Sequence, residues 1–173
     1  MLPSRRRWDV QPRESASVLL ASSGAPFSRA AVRRARELAA GRPVAVISIL
    51  RVYGSAFGLP NPGLMPTRRE REEQVGIVDR AIRDLERQGC TADGQVTATR
   101  SAGRAIAKAA RARQVSYVVM DTHPATGIRR VIEGEVAAIV RRRLRGAAIL
   151  DLVGTAADPH QASRRSSGGR RLP

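Results

Sequence analysis

The sequence predicts an α/β protein built around a parallel sheet. Three observations carry that prediction. Short apolar runs of strand length alternate with longer segments of helical period along most of the chain. The clearest runs, Val44–Leu50 and Val115–Met120, are nearly continuous in apolar residues, the pattern of strands covered on both faces. The last element is again a strand, so each helix is a crossover that returns the chain to the same sheet.

Each element has its own local signal. The first strand is Ser17–Ser22, where Val18, Leu19, Leu20 and Ala21 run into the turn Ser22-Ser23-Gly24. From Ser28 the period changes. Ala31, Ala35, Leu38 and Ala39 recur at helical spacing, and Arg29, Arg33, Arg34 and Arg36 take the opposite face. Ser28 suits the N-cap, and Gly41 ends the helix. After the second strand, Val44–Leu50, residues Gly54 to Pro66 lack periodicity and read as a long functional or mobile loop. Thr67 to Gln88 is helical, with Glu70, Glu72 and Glu73 at the end where the helix dipole favours acids. Its apolar stripe is Val75, Val78, Ile82 and Leu85, and Gly89 stops it.

Gln95–Thr99 alternates weakly and reads as a short edge strand. Gly103 opens a helix that turns Ile106, Ala107 and Ala110 inward. The strand Val115–Met120 leads to a loop from Asp121. A helix from about Gly134 to Arg143 carries Val136, Ile139, Val140 and Leu144, and Ala147–Val153 is the closing strand. In such sheets ligands bind outside the carboxyl ends of the strands, near a switch in strand order. That selects the loops Ser22–Ser28, Arg51–Thr67, Arg100–Arg104 and Asp121–Glu135.

Composition narrows the function. The chain of 173 residues carries a net charge of +16, and all its basic residues except Lys108 are arginine. A genome rich in G and C produces that bias by itself. Residues 1–16 and 154–173 are rich in Ser, Gly, Pro and Arg without periodicity and read as disordered basic tails. Residues 17–153 form the domain and keep 23 of the 31 basic residues and 12 of the 15 acidic ones. A basic domain attracts polyanions without specificity. Trp8, Phe27, Tyr53, Phe57 and Tyr117 are scattered, so there is no stacking platform for a dedicated single-strand reader.

The lone Cys90 excludes an intrachain disulfide and a cysteine zinc site and reads as a packing residue rather than a redox sensor. His123 and His160 lack further ligands for a metal. No run approaches the roughly 20 apolar residues of a membrane span. Ser4-Arg5-Arg6-Arg7-Trp8 has the arginines of an export signal, but Asp9, Arg13 and Glu14 follow where an apolar stretch belongs. Ser22 and Ser23 lack a Gly-x-Ser-x-Gly elbow, so no hydrolase and no enzyme is expected. Arg141-Arg142-Arg143 with Arg145 reads as cations at the carboxyl end of a helix dipole.

Three passages resemble the universal stress protein family. They are Val18-Leu19-Leu20-Ala21-Ser22-Ser23-Gly24 with the helix ending Arg36-Glu37-Leu38-Ala39, Gly103-Arg104-Ala105-Ile106 through Met120, and Gly127 through Gly134 with the closing strand. The resemblance covers nearly all of 17–153. It implies one five-stranded parallel sheet in order 3-2-1-4-5 with helices on both faces, a Rossmann-like architecture. It also implies a cytoplasmic protein of stress, dormancy or redox response, and a homodimer through the last strand, residues 147–153. Some members bind ATP and some do not.

Nucleotide-binding members carry a glycine motif after the fourth strand: Gly, two residues, Gly, nine residues, Gly, then Ser or Thr. Those positions fall here on Asp121, Pro124, Gly134 and Glu135, and the aspartate common after the first strand falls on Ser23, next to Gly24. His123 matches a residue often found between the first two glycines. Only Gly134 is kept. Asp121 adds a side chain and a negative charge, and Pro124 removes a backbone donor. Glu135 is expected at a helix N-terminus, filling the anion site from within. Two carboxylates near a triphosphate cost roughly 1 to 4 kcal/mol each at ~4 Å. Arg129 and Arg130 act in the other direction, as phosphate forks or as partners of Glu133 and Glu135.

The expected function is therefore a regulatory or stress-response domain without ordinary ATP binding and without a cofactor, acting through an unknown protein partner. The first alternative is a small-ligand module that binds ATP, AMP or another anion around residues 121–135. The second is a basic protein associated nonspecifically with nucleic acid.

Overall fold

The computed structural model describes residues 16–52, 66–122 and 128–154, without the side chains of 128–133. Strands and helices alternate: β1 (Val18–Ser22), α1 (Arg29–Ala39), β2 (Val44–Arg51), α2 (Arg68–Arg87), β3 (Ala92–Thr99), α3 (Ala102–Ala112), β4 (Tyr117–Thr122), α4 (Ile128–Leu144) and β5 (Ile149–Gly154). The strands form one parallel sheet in the order β3-β2-β1-β4-β5. The predicted class and strand order hold.

Sheet pleat explains why the central strands are apolar throughout. Leu19, Ala21, Ala45, Ile47 and Ile49 face α3 and α4, where they pack with Ile106, Val140 and Leu144. Val18, Leu20, Val44 and Val46 face α1 and α2, where they pack with Ala35, Val78 and Leu85. Every second residue points to the opposite layer, so a strand between two helical layers has no polar face. Cys90, 6% exposed, sits in the α1/α2 layer as a packing residue. Ala16, placed in the tail by its sequence surroundings, is also buried in the core.

The caps follow local chemistry. Ser28 caps α1 by accepting the Ala31 N–H, and Thr67 with Glu70 forms a reciprocal capping box on α2. Helix α1 ends as Ala40 and Gly41 turn left-handed, with φ of 49° and 84°. Between helices, Gly103 serves a purpose that its position near a helix start does not reveal. A Cβ there would lie 2.7 Å and 2.8 Å from Ile139 of α4, so this glycine sets the close approach of α3 to α4. Two ion pairs join distant elements. Arg113, 8% exposed, pairs with Asp93 of β3 at 2.6 Å, and Arg34 of α1 reaches Asp151 of β5 at 2.8 Å.

Several boundaries differ from the sequence expectations. Strand β3 starts at Ala92 rather than Gln95, because pairing with β2 recruits Ala92, Asp93 and Gly94 despite their weak strand propensity. Strand β4 is shifted to Tyr117–Thr122, so Asp121 and Thr122 pair with Val153 and Gly154 and are strand rather than loop. Strand β5 correspondingly starts at Ile149. Helix α4 starts at Ile128, about six residues before the expected start. The loop expected at 54–66 lies, except for Pro66, outside the described residues, as do His123, Pro124 and His160. Among the described residues no helix is long and apolar enough to cross a membrane.

Candidate functional site

In the order 3-2-1-4-5 the winding of the sheet switches between β1 and β4, and in parallel sheets such a switch point is where a ligand crevice lies at the carboxyl edge. The β1 side of that crevice is Ser22 to Ser28. Here the chain is held by its own side chains. The Ser22 hydroxyl donates to the Ala25 carbonyl at 2.5 Å and accepts the Gly24 N–H at 3.1 Å. Gly24 has φ of +116°, and a Cβ would meet the Ile49 carbonyl at 3.0 Å, so the position requires glycine. The Gln74 amide donates to the Gly24 carbonyl at 3.0 Å and accepts from the Ser48 hydroxyl at 2.6 Å. This Ser48–Gln74–Gly24 chain ties the β1 loop to β2 and α2. It spans 50 residues of sequence between Gly24 and Gln74, and no local pattern announces it.

Asp121 forms the β4 side. Its carboxylate accepts the Ser28 backbone N–H at 2.8 Å and the Ser28 hydroxyl at 2.5 Å. The same hydroxyl accepts the Ala31 N–H at 3.0 Å. A carboxylate therefore stands at the N-terminus of α1, where the dipole and free N–H groups favour an anion. It also ties the end of β4 to the loop that follows β1, across the switch point. The expectation that Asp121 brings charge into a phosphate loop is replaced by a more definite role. Its charge is spent on α1 at the mouth of the crevice. At ~4 Å from a ligand phosphate it would oppose binding by roughly 1 kcal/mol in water and about 4 kcal/mol at an effective dielectric of 20.

Glu135 does not take the position expected of it. Because α4 begins at Ile128, Gly134 and Glu135 fall in its second turn, both exposed, and not at its N-terminus. The carboxylate at a helix N-terminus is that of Asp121, on α1, rather than that of Glu135, on α4. Among the described residues a Cβ at Gly134 would meet nothing within 4 Å, so these surroundings place no steric demand for glycine there. Arg129 and Arg130 lie in the first turn of α4, which has no acidic residue. Ser23 is half-buried in the β1 turn, beside Gly24. The structure thus brings Ser23, Gly24 and Asp121 to one crevice, adds Ser28 and Gln74 to it, and leaves Gly134 and Glu135 further along α4. Among the described residues no His, Cys, Asp or Glu cluster is arranged to hold a metal ion.

No curated protein sequence matches the chain significantly. Solved structures do match its fold. A universal stress protein family member from Burkholderia pseudomallei aligns at a TM-score of 0.54 and 20% identity, covering 81% of this chain and 98% of that one. A universal stress protein in complex with cAMP aligns at 0.58 and 18% identity, covering 83% and 100%. The universal stress protein from Archaeoglobus fulgidus in complex with dAMP aligns at 0.56 and 18% identity, covering 81% and 98%. At these identities the structures speak for the fold. The sequence profile of the Universal stress protein family matches residues 16–145, three quarters of the chain and all of the layers described above except β5. The chain belongs to the universal stress protein family.

Proposed function

We propose that this chain is a regulatory universal stress protein domain whose nucleotide crevice is closed from within and which acts through protein contacts rather than catalysis. The observation that carries this reading is the Asp121 carboxylate on the Ser28 N–H and hydroxyl, which occupies the N-terminus of α1 and links the end of β4 to the loop after β1. A phosphate entering there meets a fixed negative charge and displaces two hydrogen bonds.

The surface for a second copy is the β5 edge. Its outer backbone groups have no strand beside them among the described residues, and Ile149 is 60% exposed. Ile149→Lys puts a charge on that edge. Sedimentation should show a dimer for the parent chain and a monomer for the variant, and equal masses rule the β5 dimer out.

A second reading has its own support. The first turn of α4 carries Arg129 and Arg130 without an acid, and two structures of similar fold hold cAMP and dAMP. Calorimetric titration of ATP and of AMP at moderate salt separates the two readings, together with assay of the heat-denatured supernatant for retained nucleotide. The closed-crevice reading requires no heat up to about 1 mM nucleotide, and a gain of about tenfold or more in affinity for Asp121→Ala. Micromolar binding by the unaltered chain, or a co-purified nucleotide, overturns it.

A further inference from the structure

We propose that the groove between α1 and α2 is a binding site for the phosphodiester backbone of nucleic acid, separate from the crevice at the carboxyl edge of the sheet. The two helices pack side by side on one sheet face and leave an open groove of about 600 Å³. Arg29 and Arg33 line one wall from α1, and Arg80, Arg83 and Arg87 line the other from α2. Spacings of three and four residues make each set a single row along its helix, so two rows of guanidinium groups flank one channel. All five arginines are exposed. Among the described residues no carboxylate is paired with Arg29, Arg33, Arg80 or Arg83, and the acid that lines the groove, Asp84, is already bonded to Arg87. Four uncompensated cations thus share a channel roughly two helical turns long, about 10 Å.

The occupant follows from chemistry. The chain's own termini are basic, with four arginines against two acids in residues 1–15 and four against one in residues 155–173, so neither complements the groove. Within the groove a second copy, which carries the same +16 charge, meets like-charged arginines and gains no apolar contact in return. An acidic protein segment would need an apolar anchor, because protein interfaces take their affinity from buried aromatic and aliphatic residues. The apolar residue in this lining is Val32, which is 3% exposed and offers none. A phosphodiester chain needs no such anchor. Its affinity comes from counterion release, and the arginine fork fits phosphate oxygens. The lining holds no aromatic side chain, so no base is stacked and the site is indifferent to sequence.

The test is fluorescence anisotropy with labelled single strands of about 20 nucleotides, of two unrelated sequences, titrated between about 50 and about 200 mM salt. Four contacts give a log–log salt slope of about −2.8, a loss of about 50-fold in affinity over that range, and the two sequences bind within about twofold of each other. Arg80→Ala with Arg83→Ala halves the slope to about −1.4, so the loss shrinks to about sevenfold. Asp84→Asn removes the groove's acid and releases Arg87, and should tighten binding and steepen the slope by about 0.7. Arg141→Ala with Arg142→Ala removes the same charge at the far end of α4 and should leave slope and affinity within about twofold of the parent. If this control weakens binding as much as the groove variant, binding is diffuse and the groove proposal falls. It also falls if the parent chain shows no salt-dependent binding, or if poly-glutamate displaces the oligonucleotide at equal charge concentration, which would assign the groove to an acidic protein.

Discussion

Asp121→Ala tests the crevice most directly, because the same contact carries both stability and the proposed closure. The substitution removes two hydrogen bonds to a charged acceptor, from the Ser28 N–H at 2.8 Å and the Ser28 hydroxyl at 2.5 Å. Bonds to a charged partner contribute about 1.5–3 kcal/mol each, and the half-buried setting places these at the low end. A carboxylate at a helix N-terminus adds about 0.3–1 kcal/mol. Water recovers part of this in the variant, so the net loss should be about 2–3 kcal/mol. For a domain of this size that lowers the melting temperature by about 6–12 °C. Asp121→Asn keeps the shape and one acceptor and should cost about half as much. Ser28→Ala loses the hydroxyl bond to Asp121 and the cap on Ala31 but keeps the backbone N–H bond, about 1–2 kcal/mol. Urea denaturation of the parent, both single variants and the double variant closes the cycle, and the coupling should reach about 1 kcal/mol. A cost below about 0.5 kcal/mol for Asp121→Ala, or additivity within about 0.3 kcal/mol, would refute the view that this carboxylate is anchored on α1.

The other predictions test packing and capping. Helix propensity favours alanine over glycine by about 1 kcal/mol, so Gly134→Ala, with nothing among the described residues within 4 Å of the new Cβ, should stabilise the fold by about 0.5–1 kcal/mol. Gly103→Ala should do the reverse by about 1–3 kcal/mol, because the new Cβ would lie 2.7 Å and 2.8 Å from the branched Ile139 side chain. Chemical denaturation checks both, and two shifts of the same sign would contradict the packing assigned to α3 and α4. The Thr67 N–H and hydroxyl donate to Glu70 at 2.7 Å and 2.9 Å, and these bonds hold its carboxyl below the ordinary 4.5. A depressed folded value means that the capping contribution is complete above that ordinary value and is lost as pH falls through the folded one. The stability gap between the parent and Glu70→Gln should therefore be fully open at about pH 7 and narrow as pH falls below the ordinary carboxyl range, and a gap that does not change with pH rules the charged cap out.

The layers were legible in the amino-acid pattern. Continuous apolar strands such as Val44–Leu50 read as covered on both faces, and the helical stripes through Ala31, Ile82 and Ile106 read as the covering, because burial is written locally in side-chain period. The cap at Ser28 was legible for the same reason, since it acts within one turn. The shifted strands were not. Ala92 and Asp121 are strand because β2 and β5 supply partners, and strand pairing is a property of neighbours far along the chain.

The candidate site divides the same way. The sequence placed Ser23, Gly24 and Asp121 at one carboxyl edge, and marked Asp121 together with Pro124 and Glu135 as the residues that change the chemistry. What the Asp121 charge does emerges with the folded chain, because its partner Ser28 is 93 residues away and the bond exists only once β1 and β4 lie side by side. It likewise moved Glu135 off the helix terminus and set the arginines of α1 and α2 face to face. Side-chain period fixes which face of an element is buried, whereas which charges meet across a crevice or a groove depends on the packing of elements distant in sequence.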